Sequence, residues 1–283
     1  MSDTTSSSFW VNLRGYRPYL HIKEIYITLI GVLWMLLIVY PVYLGIAMAD
    51  TMNPYANSPP GTRFVIYDPI LLNLSTAFKK TRLPRNVSDI MVGICFFLIF
   101  LRVFLNGRKT LLLLRRVFYI VGFLYLLRIP FMLTTLMPPP ITECVPKDHK
   151  SVFFYAKLLM LQKMESCADL MYSGHTIAFT ISSLIWIHYP LFKRFSYLIN
   201  SLLVLNSFLS VIGLIASSYH YTIDVVVSFL LVNFVWHFYH FAVTTNYLVD
   251  TWYGKVLLFI DHESYLIKRE PEYIALTTVE KIV

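Results

Sequence analysis

Two short polar clusters interrupt an otherwise apolar sequence, and each contains a histidine. One spans residues 169–176 (DLMYSGHT) and the other spans residues 220–224 (HYTID). His220 and Asp224 are four residues apart, so on a helix their side chains lie on one face and can contact each other. A carboxylate that binds one imidazole nitrogen fixes the tautomer and leaves the other nitrogen free as a nucleophile or base. This spacing predicts nucleophilic chemistry at His220.

His175 belongs to the first cluster and must come from a different helix. If it faces His220, it can protonate a leaving alkoxide and then take the proton from an incoming hydroxyl. A nucleophile, an orienting carboxylate and a separate acid–base group follow the logic of a catalytic triad. A single histidine at a membrane surface is more often a hydrogen-bonded structural residue. The combination of His175, His220 and Asp224 favours catalysis over that interpretation.

The other histidines lie toward the opposite membrane face or outside the apolar segments, and we interpret them as interfacial or cytosolic: His21, His188, His237, His240 and His262. His237 and His240 could contribute to a metal site, but no carboxylate or cysteine accompanies them at ligand spacing. We predict neither a metal nor a cofactor. Arg128, inside an apolar segment, could bind a lipid phosphate or pair with Asp224, or it could form an internal salt bridge.

The chain that carries these clusters must have the lipid bilayer as its solvent. Of its 283 residues, 57% are hydrophobic and 14% charged, with a mean hydropathy of +0.61, whereas about a quarter of the residues in soluble domains are charged. Six segments approach the roughly 20 apolar residues that a spanning helix needs. They cover about residues 25–48, 90–107, 117–137, 171–192, 195–217 and 221–243. We predict an all-α membrane protein with six transmembrane helices in one domain over about 25–243, a cytosolic N-terminal segment 1–24 and a cytosolic C-terminal tail 244–283.

Six spans place both termini on the same side of the membrane. That side also receives the basic residues of the short connections, which identifies it as cytosolic: Arg108, Lys109, Arg115, Arg116, Lys193 and Arg194. The fourth and sixth spans then both begin at the lumenal or exoplasmic face, so His175 and His220 can lie at the same depth. We attribute the net charge of +8 to this topology and to contact with anionic lipids, since no nucleic-acid-binding motif accompanies it.

Cys144 and Cys167 both fall in the long loop assigned to the exoplasmic side, whereas Cys95 lies inside the second span. Because the exoplasmic compartment is oxidising, we expect a disulfide between Cys144 and Cys167. The alternative is a pair of free thiols.

The two polar clusters resemble motifs of the sphingomyelin synthase family. Residues 167–176 (CADLMYSGHT) resemble the family pattern C-G-D-x-x-Y/F-S-G-H-T, and residues 220–225 (HYTIDV) resemble H-Y-T-[IV]-D-V. Weaker similarities at Arg115, Arg116, residues 122–128 and Cys144 extend the likeness over roughly residues 59–243. The resemblance implies a lipid phosphate phosphatase-like helical bundle that acts at the lumenal or exoplasmic leaflet of the Golgi or plasma membrane.

The resemblance also implies a reaction. The primary hydroxyl of ceramide would receive a phospho-head-group from a glycerophospholipid, with release of diacylglycerol. His220 would attack phosphorus and form a phosphohistidine, Asp224 would orient it, and His175 would handle the proton on the leaving and entering oxygens. Substrate-binding roles are expected for Asp169, Tyr172, Ser173, Arg128 and Tyr219. Such a reaction needs no metal or nucleotide, and the sequence leaves open whether the chain forms a homo-oligomer.

Two positions depart from the family pattern. Ala168 replaces the glycine beside Asp169. Tyr219 stands just before His220, where the animal enzymes that make sphingomyelin or ceramide phosphoethanolamine carry an acidic residue. Relatives that make inositol phosphorylceramide also lack this acid, but their second motif differs from HYTIDV. Phosphocholine, phosphoethanolamine and phosphoinositol therefore all stay candidates for the head group.

Two alternative functions compete with head-group transfer. A lipid phosphate hydrolase of the same superfamily would carry a K-x6-R-P motif and an arginine six residues before the nucleophilic histidine. Leu214 occupies that position, and Arg17-Pro18 has no lysine at the required spacing. A transporter or channel would place polar residues through the whole membrane depth, and the fifth span offers Asn200, Asn206, Ser207 and Ser210. The clustering of ionisable residues at one face favours the enzyme.

Overall fold

Long apolar runs with few helix breakers produce a helical chain. The structure, a computed structural model, describes residues 22–55, 65–78, 86–106, 110–140, 151–164, 166–167, 169–191, 195–245, 248 and 250–261. In these ranges the chain forms α1 (Ile22–Met52), α2 (Pro69–Phe78), α3 (Asn86–Phe104), α4 (Thr110–Thr134), α5 (Val152–Met160), α6 (Gly174–His188), α7 (Ser196–Ala216), α8 (Thr222–Thr244) and α9 (Trp252–Ile260).

Five helices in the described ranges are long and apolar enough to cross a membrane, namely α1, α3, α4, α7 and α8. They correspond to five of the six predicted spans and confirm those segments as apolar helices of spanning length. The fourth predicted span, about 171–192, is a shorter helix. α6 has 15 residues, or about 22 Å of length, against a hydrocarbon core of about 30 Å. By helix length, five of the six predicted spans are found in the described ranges, and the sixth crossing stays a prediction.

Local chemistry at its two ends explains why α6 is short. Ser173 precedes the helix and accepts a hydrogen bond from the Thr176 backbone N–H at 3.3 Å. At the other end Pro190 follows Tyr189, and a residue before proline is disfavoured in helical conformation. The prediction extended the span through the residues on either side because they are largely apolar, although the cap and the proline exclude them from the helix.

α6 is nevertheless the centre of the bundle. Most of its residues are buried, and it packs on α3, α7 and α8. Hydroxyl side chains bind across the contact with α7: Ser183 Oγ lies 2.6 Å from Ser207 Oγ, which donates to the Phe179 carbonyl at 2.8 Å. Ser210 donates to the Asn206 carbonyl within α7. Ser207 and Ser210, which counted in favour of a transport path, thus bind their own helix or its neighbour, as is typical of membrane bundles.

Three short helices form where the sequence analysis predicted connections or tail. α2 starts with Pro69 after Asp68, whose carboxylate accepts two N–H groups of the first turn at 3.1 Å, as expected for a helix start. α5 packs on α1, where the buried Asp50 accepts a hydrogen bond from the Tyr155 hydroxyl at 2.9 Å. α9 packs on α8. Each has about ten residues, too few for the long apolar pattern that identifies a span.

Ion pairs join the helices at the end of the bundle where α1 begins. Arg115 of α4 pairs with Glu24 in the first turn of α1. Arg116 donates to both carboxylate oxygens of Asp261, at 2.8 and 2.9 Å, and so attaches the end of α9 to α4. The two polar clusters with His175 and His220 lie at the opposite end.

Three histidines that the sequence indicated as interfacial or cytosolic lie together at the end of the bundle where α1 begins. The ring of His188 is 5.2 Å from that of His237 and 5.5 Å from that of His240. His240 also bonds to the Tyr189 hydroxyl at 2.7 Å. Among the described residues, no group of three or more His, Cys, Asp or Glu side chains has a geometry that could hold a metal ion.

Candidate active site

Gly174 places His175 by allowing an arginine to approach the start of α6. A Cβ at position 174 would lie only 3.0 Å from Nη1 of Arg128, so a side chain there would displace the guanidinium. Arg128 pairs with Asp169, and its Nε donates to the Tyr172 carbonyl. Of the arrangements considered from the sequence, the internal salt bridge is therefore the one found. It fixes the segment that leads into His175.

His220 and Asp224 flank the start of α8 with their side chains facing each other. Nδ1 of His220 lies 3.5 Å from Oδ2 of Asp224, and both side chains are buried. The same Oδ2 accepts the Tyr221 backbone N–H at 3.1 Å, which holds the carboxylate in place. A separation of 3.5 Å is longer than a good hydrogen bond, but catalytic pairs often tighten in the substrate complex. Because Nδ1 faces the carboxylate, Nε2 is the nitrogen available to a substrate.

The two histidine motifs are joined to each other. The ring centroids of His175 and His220 lie 5.8 Å apart. The Ser228 hydroxyl of α8 lies 3.0 Å from the Ser173 carbonyl oxygen, and the Ser173 N–H donates to the Asp224 carbonyl at 3.4 Å. The structure therefore brings the two histidines and the aspartate together as the topology predicted. Their catalytic roles stay a prediction.

Asp89, which the sequence analysis did not select, lies beside His175. Its Oδ1, in the first turn of α3, is 3.1 Å from Nε2 of His175. Its Oδ2 accepts a hydrogen bond from the Tyr219 hydroxyl at 3.5 Å, and the Tyr219 ring lies 5.5 Å from the His175 ring. An acidic residue at a helix entry is the same signal that identified the other site residues. It was missed because the second span was predicted to begin at about 90, whereas α3 begins at Asn86.

The other residues predicted to bind substrate divide into two groups. Tyr172 is buried, with its hydroxyl donated to the Leu124 carbonyl, and Ser173 caps α6. These contacts hold the framework of the site. Asp169 and Tyr219 instead line a cavity. Of these predicted substrate-binding residues, the two that line the cavity are therefore the ones for which direct contact with substrate is still predicted.

Asp68 fixes the start of α8 from outside the motifs. It accepts the Thr222 backbone N–H at 2.7 Å and the Thr222 hydroxyl at 3.0 Å. Burial opposes ionisation of this carboxylate, but the hydrogen bonds from α2 and Thr222 outweigh it and lower the pKa of Asp68. The Tyr221 hydroxyl accepts the Ile66 N–H at 3.2 Å. One short segment thus supports the turn that carries His220.

A cavity of about 670 Å³ opens beside the two histidines. Its polar wall contains both imidazoles together with Asp89, Asp169 and Tyr219. Its apolar wall comes from α1, α3 and α5 and includes Ile46. A cavity that combines a few convergent polar groups with an apolar wall suits a ligand that is polar at one end and hydrocarbon at the other.

The cysteines are partly described. Cys167 is disulfide-bonded, and Cys95 in α3 is free and buried. Cys144, the predicted partner, lies outside the described residues, so the Cys144–Cys167 pairing stays a prediction. The Cys167 backbone N–H also donates to the buried Asp50 at 2.9 Å, which attaches the segment before α6 to the end of α1.

Comparison with known proteins supports the resemblance that the motifs suggested. Residues 166–241, which contain both histidines, match the family described as PAP2 superfamily C-terminal. The chain is 26% identical over 178 residues to phosphatidylcholine:ceramide cholinephosphotransferase 2 of Caenorhabditis elegans, covering 57% of this chain and 52% of that protein. It is 28% identical over 167 residues to the human sphingomyelin synthase-related protein 1, covering 54% and 39%.

A shorter match of higher identity is to a protein named as an inositolphosphotransferase. Over 66 residues the chain is 46% identical to phosphatidylinositol:ceramide inositolphosphotransferase of Trypanosoma cruzi, covering 23% of this chain and 19% of that protein. In each comparison the chain spans about half the length of the relative or less. The matched domain contains the joined histidine motifs, and the relatives share a ceramide phosphotransferase or sphingomyelin synthase name. Over the part that contains both histidine motifs, the chain is therefore similar to the sphingomyelin synthase family.

Proposed function

We propose that this protein is a sphingolipid synthase that transfers a phospho-head-group from a glycerophospholipid to the primary hydroxyl of ceramide and releases diacylglycerol. The observation that carries the proposal is the placement of His175 and His220, 5.8 Å apart and each beside a carboxylate. The cavity next to them supports it, because its polar and apolar walls suit a lipid. The names of the relatives supply the substrate class, ceramide and phospholipid.

The reaction proceeds as two displacements at phosphorus. In the first, Nε2 of His220 attacks, a nitrogen–phosphorus bond forms, and the bond from phosphorus to the glycerol oxygen breaks. His175 gives its proton to the departing alkoxide, so that diacylglycerol leaves neutral. In the second, His175 takes the proton of the ceramide hydroxyl, whose oxygen attacks phosphorus while the bond to His220 breaks. Asp224 stabilises the positive charge that His220 carries during both steps.

Asp89 has the corresponding role at His175 in this proposal. A carboxylate on one imidazole nitrogen fixes the ring orientation and favours its protonated form. With Nε2 directed at Asp89, Nδ1 is the atom that exchanges a proton with the substrate oxygens. The transfer thus uses two histidine–carboxylate pairs, one at the start of α8 and one between α6 and α3.

The proposed topology has six crossings and both termini in the cytosol. α6 crosses together with the residues on either side of it, shielded by the helices that surround it. The histidine end faces the lumen or exterior of a Golgi or plasma membrane, since the arginine-rich end is expected to be cytosolic. The catalytic domain is placed at about residues 25–243, and the head group is phosphocholine, phosphoethanolamine or phosphoinositol.

The test is a transfer assay with purified protein in mixed micelles. Fluorescent ceramide is combined with phosphatidylcholine, phosphatidylethanolamine or phosphatidylinositol in turn, and the products are separated by thin-layer chromatography. We expect a ceramide phospholipid with at least one donor, and its loss in His220→Ala. Release of free phosphorylated head group without a ceramide product would assign hydrolysis instead. Absence of any product, or an active His220→Ala variant, would contradict the proposal.

A further inference from the structure

One face of α3 leads from the catalytic end into the membrane. Asp89, Val92, Gly93 and Phe96 follow the i, i+3, i+4, i+7 spacing that puts residues on one helical face, and all four line the cavity. At 1.5 Å of rise per residue, the face extends about 10 Å from Asp89 to Phe96. It begins at the carboxylate that contacts His175 and continues into the apolar part of α3.

Gly93 keeps this face open. A Cβ placed on it has no heavy atom within 4 Å in the described part of the chain. Close packing therefore does not require a glycine here, although glycine weakens a helix interior. What its small size does provide is space on the cavity wall, one turn from Asp89.

The opposite wall comes from α1, through Tyr43 and Ile46. α1 packs mainly on α4 and α5, whereas α3 packs mainly on α6. The two walls thus belong to helices with different main partners. A groove between such helices can admit a hydrocarbon chain sideways from the bilayer.

We propose that the groove between Val92, Gly93 and Phe96 on one side and Tyr43 and Ile46 on the other binds a hydrocarbon chain of the ceramide acceptor. The inference rests on the proposed transfer reaction, in which the ceramide hydroxyl must reach His175. A lipid whose hydroxyl lies there has its chain at the start of the α3 face. The groove then orients the acceptor by burying apolar surface while its hydroxyl stays at the polar end.

The test compares two glycine variants, Gly93→Leu and Gly213→Leu. Gly213 is a matched control because it lies in the spanning helix α7, its Cβ would also meet nothing within 4 Å, and it does not line the cavity. At a fixed concentration of first a long-chain and then a short-chain donor, kcat/KM is measured for long-chain ceramide and for a ceramide shortened in both chains. Gly93→Leu is expected to lower kcat/KM for long-chain ceramide about tenfold. This is the effect expected when roughly two methylene groups of the chain are no longer buried. The kcat/KM of Gly93→Leu for the short ceramide should change much less, and so should the kcat/KM of Gly213→Leu for either ceramide.

Three kinetic outcomes would overturn the inference: equal loss with both ceramides, equal loss in both variants, or a dependence on donor chain length alone. A second measurement does not depend on turnover. A ceramide with a photoactivatable group in its chain should label α3 near residues 92–97 in the wild type, and long-chain ceramide should compete with it. Label found elsewhere would contradict the groove. A wild-type protein that forms no ceramide product would sink the proposed function, while the labelling pattern would still report on the groove.

Discussion

At the scale of single residues, each histidine of the site has a carboxylate neighbour, but the two pairs arise differently. His220 and Asp224 are four residues apart, but α8 begins only at Thr222. The turn that opens α8, in which the Tyr221 N–H donates to Asp224 Oδ2, brings them together. His175 and Asp89 are 86 residues apart in sequence, and only the packing of α3 on α6 joins them. The first pair could be predicted from spacing, whereas the second depends on a tertiary contact.

Replacing Asp89 by asparagine tests whether it acts through His175. The amide keeps the shape but removes the charge that stabilises a protonated imidazole. We expect kcat to fall about 10- to 100-fold, part of the roughly 10²–10⁴ contributed by a general acid–base group, with little change in KM for ceramide. Asp89→Glu should recover part of kcat, because the carboxylate is restored.

The matched control for this substitution is Asp250→Asn, at an exposed position close to α9. It should leave kcat unchanged. A change in KM for ceramide with kcat unchanged in Asp89→Asn would contradict a positioning role for Asp89. So would a change in kcat no larger than that of the control.

At the scale of helices, the start of α8 is held by a residue outside the catalytic motifs. Asp68 accepts hydrogen bonds from the first turn of α2 and from Thr222, so one carboxylate caps two helix ends. Removal of a capping side chain costs about 0.5–2 kcal/mol of stability. Asp68→Ala should therefore lower the thermal unfolding midpoint in detergent at neutral pH.

The difference in unfolding midpoint between the wild type and Asp68→Ala should depend on pH, because the pKa of Asp68 is lowered in the folded state. A carboxyl group with a lower pKa in the folded state stabilises the fold above its unfolded pKa of about 3.9, and the stabilisation disappears as the pH falls through the folded value. The gap in midpoint between wild type and Asp68→Ala should be constant between about pH 8 and about pH 5 and should shrink below about pH 4. A gap that widens toward acid would contradict this assignment.

Helix length also explains which parts of the fold could be predicted. The five long apolar helices were found because each supplies the roughly 20 residues of a span. α2, α5 and α9 were missed because each has only about one half of that length. The bounds of α6 were set too wide, because the Ser173 cap and Pro190 end the helix inside an apolar run.

At the scale of the whole molecule, chemistry is separated between the two ends of the bundle. One end has the ion pairs Arg115–Glu24 and Arg116–Asp261, which fix α1 and α9 to α4. The other has the histidines, their carboxylates and the cavity. The sequence predicted this separation from topology and from the cost of charge in a membrane. It did not indicate Asp68, which acts through a contact between distant segments. Asp89 was missed because the second span was predicted to begin after it.

The most direct test of the account is capture of the head group on His220. Protein is mixed with a glycerophospholipid that carries labelled phosphate, without ceramide, and is quenched after a fraction of one turnover under alkaline conditions. We predict label on His220, located by mass spectrometry, and its discharge into a ceramide phospholipid when ceramide is added before the quench. Formation of the ceramide product without labelled His220, or label on another residue, would contradict the two-step mechanism.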